Sequence, residues 1–328
     1  MTAVSRRTPL FALLCAALVW PAAAQAKDPA GPDRAAASAQ APAKIGIHVG
    51  HLRRGKATVL SRVPIRGSIS PFVAGESVEL LFFRNRRQVG SETLRVRNGP
   101  GDRGSFRTRF LVRRGGRFAV QALHVATPAQ QGAASKREKF GVRFPSLGGG
   151  KCGRVVGAFK RGLRKLGYVP GRGSCMASKA GRAVLAYRKV NDRGQNQHAG
   201  GAIVKRVLAG RGAYRVRHPG AGEHVEINIG KQVLVIAKGR RPLQTYHVST
   251  GKSSTPTVTG HFEFYLRQPG YNSHAMYYST YFHGGYAVHG YASVPATYPA
   301  SHGCVRVPIP EAYHIYKSVF IGEDVFVY

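Results

Sequence analysis

Between residues 103 and 112, Phe106, Thr108, Phe110 and Val112 take every second position, and Arg107 and Arg109 stand between them. A period of two puts the two sets on opposite faces of a strand, so such a stretch folds only within a sheet that has one face covered and one wet. Similar short apolar runs recur from 44 to 145, in "KATVLSRVPIRGSI", "ESVELLFFRNRRQVG", "SETLRVRNG" and "RFAVQALHVA", broken by turn residues. Six or seven such strands in this span predict an immunoglobulin-like β-sandwich over 44–145. Its histidines, His48, His51 and His124, are scattered and form no catalytic cluster.

The pattern changes at "FPSLGGGKCG", where Pro145 and a glycine run end the strands. Val155, Phe159, Leu163 and Leu166 then recur at spacings of four, four and three, a helical stripe that stops at Gly167. A second stripe follows in Ala183, Val184, Tyr187 and Val190. Two short helices cannot bury a large core, so the unit predicted at 151–210 needs a staple. Beyond 221 the chain returns to strands: "HVEINIG" alternates, "KQVLVIAKGRRPLQTYHVSTG" reads as a hairpin around Gly239, and "GHFEFYL" follows the Pro256 turn. The fold class predicted is mainly β, with a small helical module between two β units.

Export sets the meaning of the cysteines. Arg6 and Arg7 precede "PLFALLCAALVWPAAA", a basic and then apolar leader ending in small residues, which predicts a signal peptide over 1–26. The run is short for a membrane span, and Cys15 within it has the wrong neighbours for lipid attachment. Residues 27–43, small, polar and proline-punctuated, predict a flexible linker. Outside the cytosol structural cysteines pair. Cys152 and Cys175, 23 positions apart within the helical unit, are the expected disulfide, and Cys304 is left over. An unpaired thiol in an exported chain points to chemistry.

Of the net charge of +36, nearly all lies upstream of Cys304. Residues 44–145 hold 21 Lys or Arg against 5 acids and 151–220 hold 17 against 1, whereas 221–328 hold 8 against 6. The first two segments predict a partner that is a polyanion, and an exported protein meets anionic lipid and anionic cell-wall polymer before it meets nucleic acid, which is not expected as a partner. The nearly neutral last segment suits a substrate site.

A cysteine nucleophile needs a base or a positive neighbour, donors for an oxyanion, and a group that orients the base. "SHGCVR" supplies candidates: Ser301, His302, Gly303, Cys304 and Arg306. His302 and His289 are the candidate bases. Residues two apart in an extended chain point the same way, so proximity favours His302. His283, His289, His302 and Cys304 lack paired zinc-ligand spacing, and neither a metal nor another cofactor is expected.

Two resemblances sharpen this reading. "GRVVGAFKRGLRKLGYVPG" followed by "AGRAVLAYRKVN" resembles the peptidoglycan-binding repeat family, departing where Lys160 and Arg188 stand in place of its frequent glutamines. "AVHGYASVPATYPASHGCVRV" resembles the signature of the L,D-transpeptidase catalytic domain; the likeness extends from about Glu223 to Tyr328, within a catalytic domain expected over 221–328. It implies a mixed β-sandwich with Cys304 as nucleophile, His289 as general base and the Gly290 carbonyl orienting that imidazole. Ser301, His302 and Gly303 would shape the oxyanion loop, and Arg306, where the family often has Asn, would bind an acidic group of the donor. The implied activity is crosslinking of peptidoglycan stem peptides through a thioester, in the cell wall. The alternatives are a non-catalytic basic wall-binding protein and a cysteine carboxypeptidase or hydrolase of stem peptides.

Overall fold

The alternating runs of the first β unit become ten strands: β1 Lys44–Val49, β2 Lys56–Thr58, β3 Arg62–Ser70, β4 Ser77–Arg84, β5 Arg87–Arg95, β6 Arg97–Gly99, β7 Arg103–Leu111, β8 Arg117–His124, β9 Ala133–Ala134 and β10 Glu138–Arg143. The structure is a computed structural model that describes residues 40–328. The leader over 1–26, Cys15 and the linker up to residue 39 lie outside the described residues.

One sheet runs β1-β3-β7-β6 and the other β2-β10-β8-β4-β5, with β9 added to β8. Ile65, Leu80, Phe106, Phe118, Val120 and Phe140 bury their side chains between them, each contributing roughly 1.5–3 kcal/mol of transfer free energy. The alternation in β7 appears as expected: Phe106 is buried, while Arg107 and Arg109 are exposed. Asn85 and Arg86 both adopt positive φ between β4 and β5, the geometry of a tight two-residue hairpin turn. Residues 40–43, assigned to the linker by composition, are held to the sandwich. The Ala41 amide donates to Ala129 O at 3.3 Å and the Gln131 amide donates to Ala41 O at 2.9 Å.

The helical unit contains α1 Arg154–Lys165, α2 Ser178–Val190 and a third helix, α3 Gly201–Leu208. The sequence reading finds only two because α3 is eight residues long and opens on glycines; its stripe is Ile203, Val204 and Val207, all buried. On α1 the buried position is Val156 rather than Val155, which is half-buried. Gly167 ends α1 with φ +82°. Its amide bonds Arg164 O and the Tyr168 amide bonds Leu163 O, both at 3.0 Å, a Schellman closure that favours glycine. The sulfurs of Cys152 and Cys175 are bonded to each other.

The last unit comprises β11 Glu223–Asn228, β12 Val233–Lys238, β13 Arg241–His247, β14 Gly260–Glu263, β15 Leu266–Tyr271, β16 Tyr277–His283, β17 Tyr286–Tyr291, β18 Val305–Pro308, α4 Ile309–Ser318 and β19 Asp324–Val327. A sheet ordered β13-β12-β11-β19-β14 packs against one ordered β15-β16-β17-β18, and the core between them includes Val225, Ile227, Phe264, Val288, Val305 and Val307. Although β11 alternates in sequence, both of its faces are buried. Its polar face lies under the connector at 211–222. There Glu226 accepts from the Arg217 and His218 amides at 2.8 and 2.6 Å and from Tyr328 Oη at 2.6 Å.

Closing a loop of this length by a disulfide is worth about 3 kcal/mol. The double substitution Cys152→Ser/Cys175→Ser is therefore expected to unfold α1–α3 at lower denaturant, read as lost hydrogen-exchange protection in those helices. Unchanged protection would show that the unit needs no staple.

Candidate active site

β17 and β18 run parallel, with Val288 opposite Val305 and His289 opposite Arg306. Val288, Val305 and Val307 point into the core, so the pleat turns His289 and Arg306 to the other face. Cys304 precedes β18 by one residue and shares that face with them. The strand register thus brings the His289 strand beside the segment that follows Cys304, fifteen positions away in the chain.

His289 is 3% exposed, and its Nδ1 lies 3.0 Å from Gly290 O. A carbonyl only accepts, so Nδ1 carries the proton and Nε2 is left as the basic nitrogen. Gly290 has no room for a side chain: a Cβ there would come within 2.7 Å of Ala312 Cβ on α4. Burial pushes the His289 pKa down to about 4, the Gly290 carbonyl partly offsets this, and the Arg306 charge adds to the depression. Burial raises the Cys304 pKa above the ordinary thiol value, opposed by a backbone hydrogen bond at Ala287 and by Arg306. Its Sγ donates to Gly285 O at 3.5 Å. Both shifts favour the uncharged forms, a thiol and a neutral imidazole.

The loop before Cys304 is tied through Ser301 and Gly303. Ser301 Oγ donates to Cys304 O at 2.5 Å and accepts from the Gly303 amide at 3.1 Å. Thr257 Oγ1 donates to Gly303 O at 2.6 Å and accepts from the Gly251 amide at 2.8 Å. Gly303 has φ +118°, and a Cβ there would lie 2.5 Å from Tyr286 Cε1, so both conformation and space demand glycine. His302 is exposed and turned to Lys252, Nε2 to Nζ 3.3 Å. Arg306 sets its guanidinium 4.0 Å over the Tyr291 ring.

Ser301, Gly303 and Cys304 stand in the loop before β18, His289 and Gly290 on β17 and Arg306 on β18, and the contacts beneath them carry no motif. Lys189 of α2 is buried and points its ammonium at three acceptors: His247 Nδ1 at 3.1 Å, Val248 O at 3.2 Å and Gln232 O at 3.3 Å. Burial lowers its pKa to about 8, so it remains charged at neutral pH. The His247 pKa is pushed down to about 3, by burial first and then by Lys189, leaving that imidazole neutral to accept. Gln232 in turn clasps Thr250, with its Nε2 2.6 Å from Thr250 Oγ1 and its Oε1 2.9 Å from the Thr250 amide. Thr250 O accepts the Ala300 and Ser301 amides, each at 3.0 Å. Hydrogen bonds thus run without a break from the helical unit to the Cys304 loop. A lysine in a chain with 50 Lys and Arg carries no sequence signal of this role, beyond sharing a helix face with buried Leu185 four residues earlier.

Residues 222–327 match the family described as YkuD, the L,D-transpeptidase catalytic domain. Among solved structures, an L,D-transpeptidase from Xylanimonas cellulosilytica is 29% identical, covering 57% of this chain and 98% of its own, with a TM-score of 0.51. An L,D-transpeptidase from Stackebrandtia nassauensis is 17% identical over 57% of this chain and 96% of its own, with a TM-score of 0.35. No curated protein matches. The C-terminal third of the chain belongs to the L,D-transpeptidase catalytic-domain family, and the protein is an enzyme of that class.

Removing one partner of a buried hydrogen-bonded set leaves the others unsatisfied, at about 1–3 kcal/mol per group. Lys189→Met is expected to slow acylation of Cys304 about tenfold while donor affinity holds, and Lys189→Arg to recover part of the loss. A change confined to thermal stability would show that the chain of bonds does not reach the loop.

Proposed function

We propose that the protein is an extracytoplasmic L,D-transpeptidase that crosslinks peptidoglycan stem peptides through a thioester on Cys304. The observation that carries the proposal is the parallel register that sets His289, whose tautomer is held by Gly290 O, across from Arg306 on the strand that begins one residue after Cys304. His289 Nε2 takes the thiol proton as Sγ attacks the carbonyl carbon of the third residue of a tetrapeptide stem. The tetrahedral oxyanion faces amides of the loop. The Gly303 amide is already bonded to Ser301 Oγ, so the donors would be the His302 and Cys304 amides. Collapse breaks the C–N bond, His289 returns the proton to the departing terminal D-alanine amine, and a thioester remains. An amine of a neighbouring stem then attacks the thioester, its proton passes to His289, and the thiol is regenerated with a new amide between the stems.

Arg306 is an always-charged fork on the same face as Cys304 and suits a carboxylate of the donor. The near-neutral charge of 221–328 fits a site for small peptides, while the basic upstream units fit retention in an anionic wall.

Incubating the enzyme with a defined tetrapeptide donor and an amine acceptor is expected to release D-alanine and give a dimer by mass spectrometry, both lost in Cys304→Ala. Shortened monomers alone would replace transfer by hydrolysis, and no turnover would overturn the proposal. A neutral pair also sets the pH profile. Acylation kcat/KM is expected to fall only as pH drops through about 4, where His289 gains its proton. An inflection near 6.5 would mean that His289 is not held as the structure has it. Between about 6.5 and 4 the unfolded chain takes up a proton that folded His289 refuses, so stability is expected to fall as the pH is lowered through that window.

A further inference from the structure

Both sheets of the sandwich are basic, but their acids are not spread evenly. β1, β3, β6 and β7, which form one complete sheet, contain no Asp or Glu. Their outward positions include Lys44, Arg62, Arg66, Arg97, Arg107 and Arg109, all exposed. The strands of the opposite sheet are basic too, with Arg84, Arg87, Arg95 and Arg117 among them, but they interleave Glu79, Glu92 and Glu138. What sets the first sheet apart is therefore the absence of any acid from its strands.

The registers show how close these charges are. Arg66 of β3 lies directly across from Arg107 of β7, with His48 of β1 on the other side of Arg66. Arg109 lies across from Pro64, and Arg62 across from Leu111, further along the same two strands. Like charges directly opposite across strands destabilise a sheet. No carboxylate relieves them: among the described residues the ion pairs all lie between residues 182 and 324, outside the sandwich. Such a face is stabilised by an anion from outside the chain. Past Arg62 the track opens into a cleft of about 470 Å³ between the sandwich and the helical unit, also lined by Lys151 and Arg154.

We propose that the outer face of the β1-β3-β7-β6 sheet binds a linear phosphodiester polymer of the cell wall, laid along β3 and β7 toward the cleft at Arg62, Lys151 and Arg154. Arginine predominates over lysine on the face, and its planar fork matches phosphate oxygens two at a time. Alternate residues on a strand stand roughly 6.6–6.8 Å apart, so successive side chains meet successive charges of an extended polymer. The apolar residues among them, Pro64 and Leu111, are half-buried. That leaves no apolar wedge for insertion into a bilayer, which surface-bound membrane proteins use, and sets the polymer ahead of a lipid surface as the occupant.

The proposal rests on the extracytoplasmic reading above and is tested apart from catalysis. Binding of the full chain to poly(glycerol phosphate) is measured against salt, alongside vesicles of phosphatidylglycerol. The variant Arg66→Ser/Arg107→Ser/Arg109→Ser is compared with Arg87→Ser/Lys136→Ser/Lys139→Ser, which removes the same charge from exposed positions outside the face. The face variant is expected to weaken polymer binding at least tenfold and to lower the log–log salt slope by about 2, at roughly 0.7 per phosphate contact on a flexible single chain. The other variant is expected to bind within about twofold of the parent, and both to acylate a soluble tetrapeptide donor normally. Equal weakening in the two variants, no binding by the parent, or tighter binding to vesicles than to polymer would overturn the proposal. Failure of the donor reaction with face-dependent binding intact would count against the catalytic reading alone.

Discussion

The site depends on the parallel pairing of β17 with β18. A parallel pair needs a long crossover, and here residues 292–304 supply it and end in the Cys304 loop. The register that buries Val288 and Val305 in the core is the one that turns His289, Arg306 and the adjoining Cys304 to the same side. A slip of one residue would put the valines where the histidine and arginine stand. Hydrophobic packing therefore fixes the geometry of the polar groups, and Gly290 lets α4 press close behind them.

Burial then sets the chemistry. The low dielectric around His289 and Cys304 disfavours both charged forms, depressing one pKa and raising the other. A neutral thiol and imidazole avoid an isolated buried charge. The helical unit has a part in this arrangement beyond any tethering, because α2 inserts Lys189 beneath the hairpin that holds the Cys304 loop. Arg182 of the same helix also pairs with Glu311 of α4 at 2.7 Å. The two units share buried polar contacts that neither could satisfy alone.

Much of this was legible in the sequence wherever a local rule governed it. Period-two runs gave strands, Gly167 marked the end of α1, and "SHGCVR" marked the nucleophile loop. Proximity along the chain is a poor guide to where His302 points, since residues two apart share a side only in a regular strand. The positive φ of Gly303 breaks that regularity, and His302 turns out to Lys252. The resemblance to a known family, rather than spacing, pointed to His289. Helix α3 and the anchored residues 40–43 were hidden because tertiary contacts, not propensity, hold them. Lys189, Gln232 and Thr250 were illegible for the same reason: they act through backbone groups far away in sequence.

The account stands or falls on which histidine serves Cys304. Acylation by a carbapenem, followed by intact mass in the parent, His289→Ala and His302→Ala, compares the two directly. A positioned base contributes on the order of 10²–10⁴ in rate, so His289→Ala is expected to lose adduct formation by at least about a hundredfold while His302→Ala stays within about tenfold of the parent. Normal acylation in His289→Ala with loss in His302→Ala would contradict it.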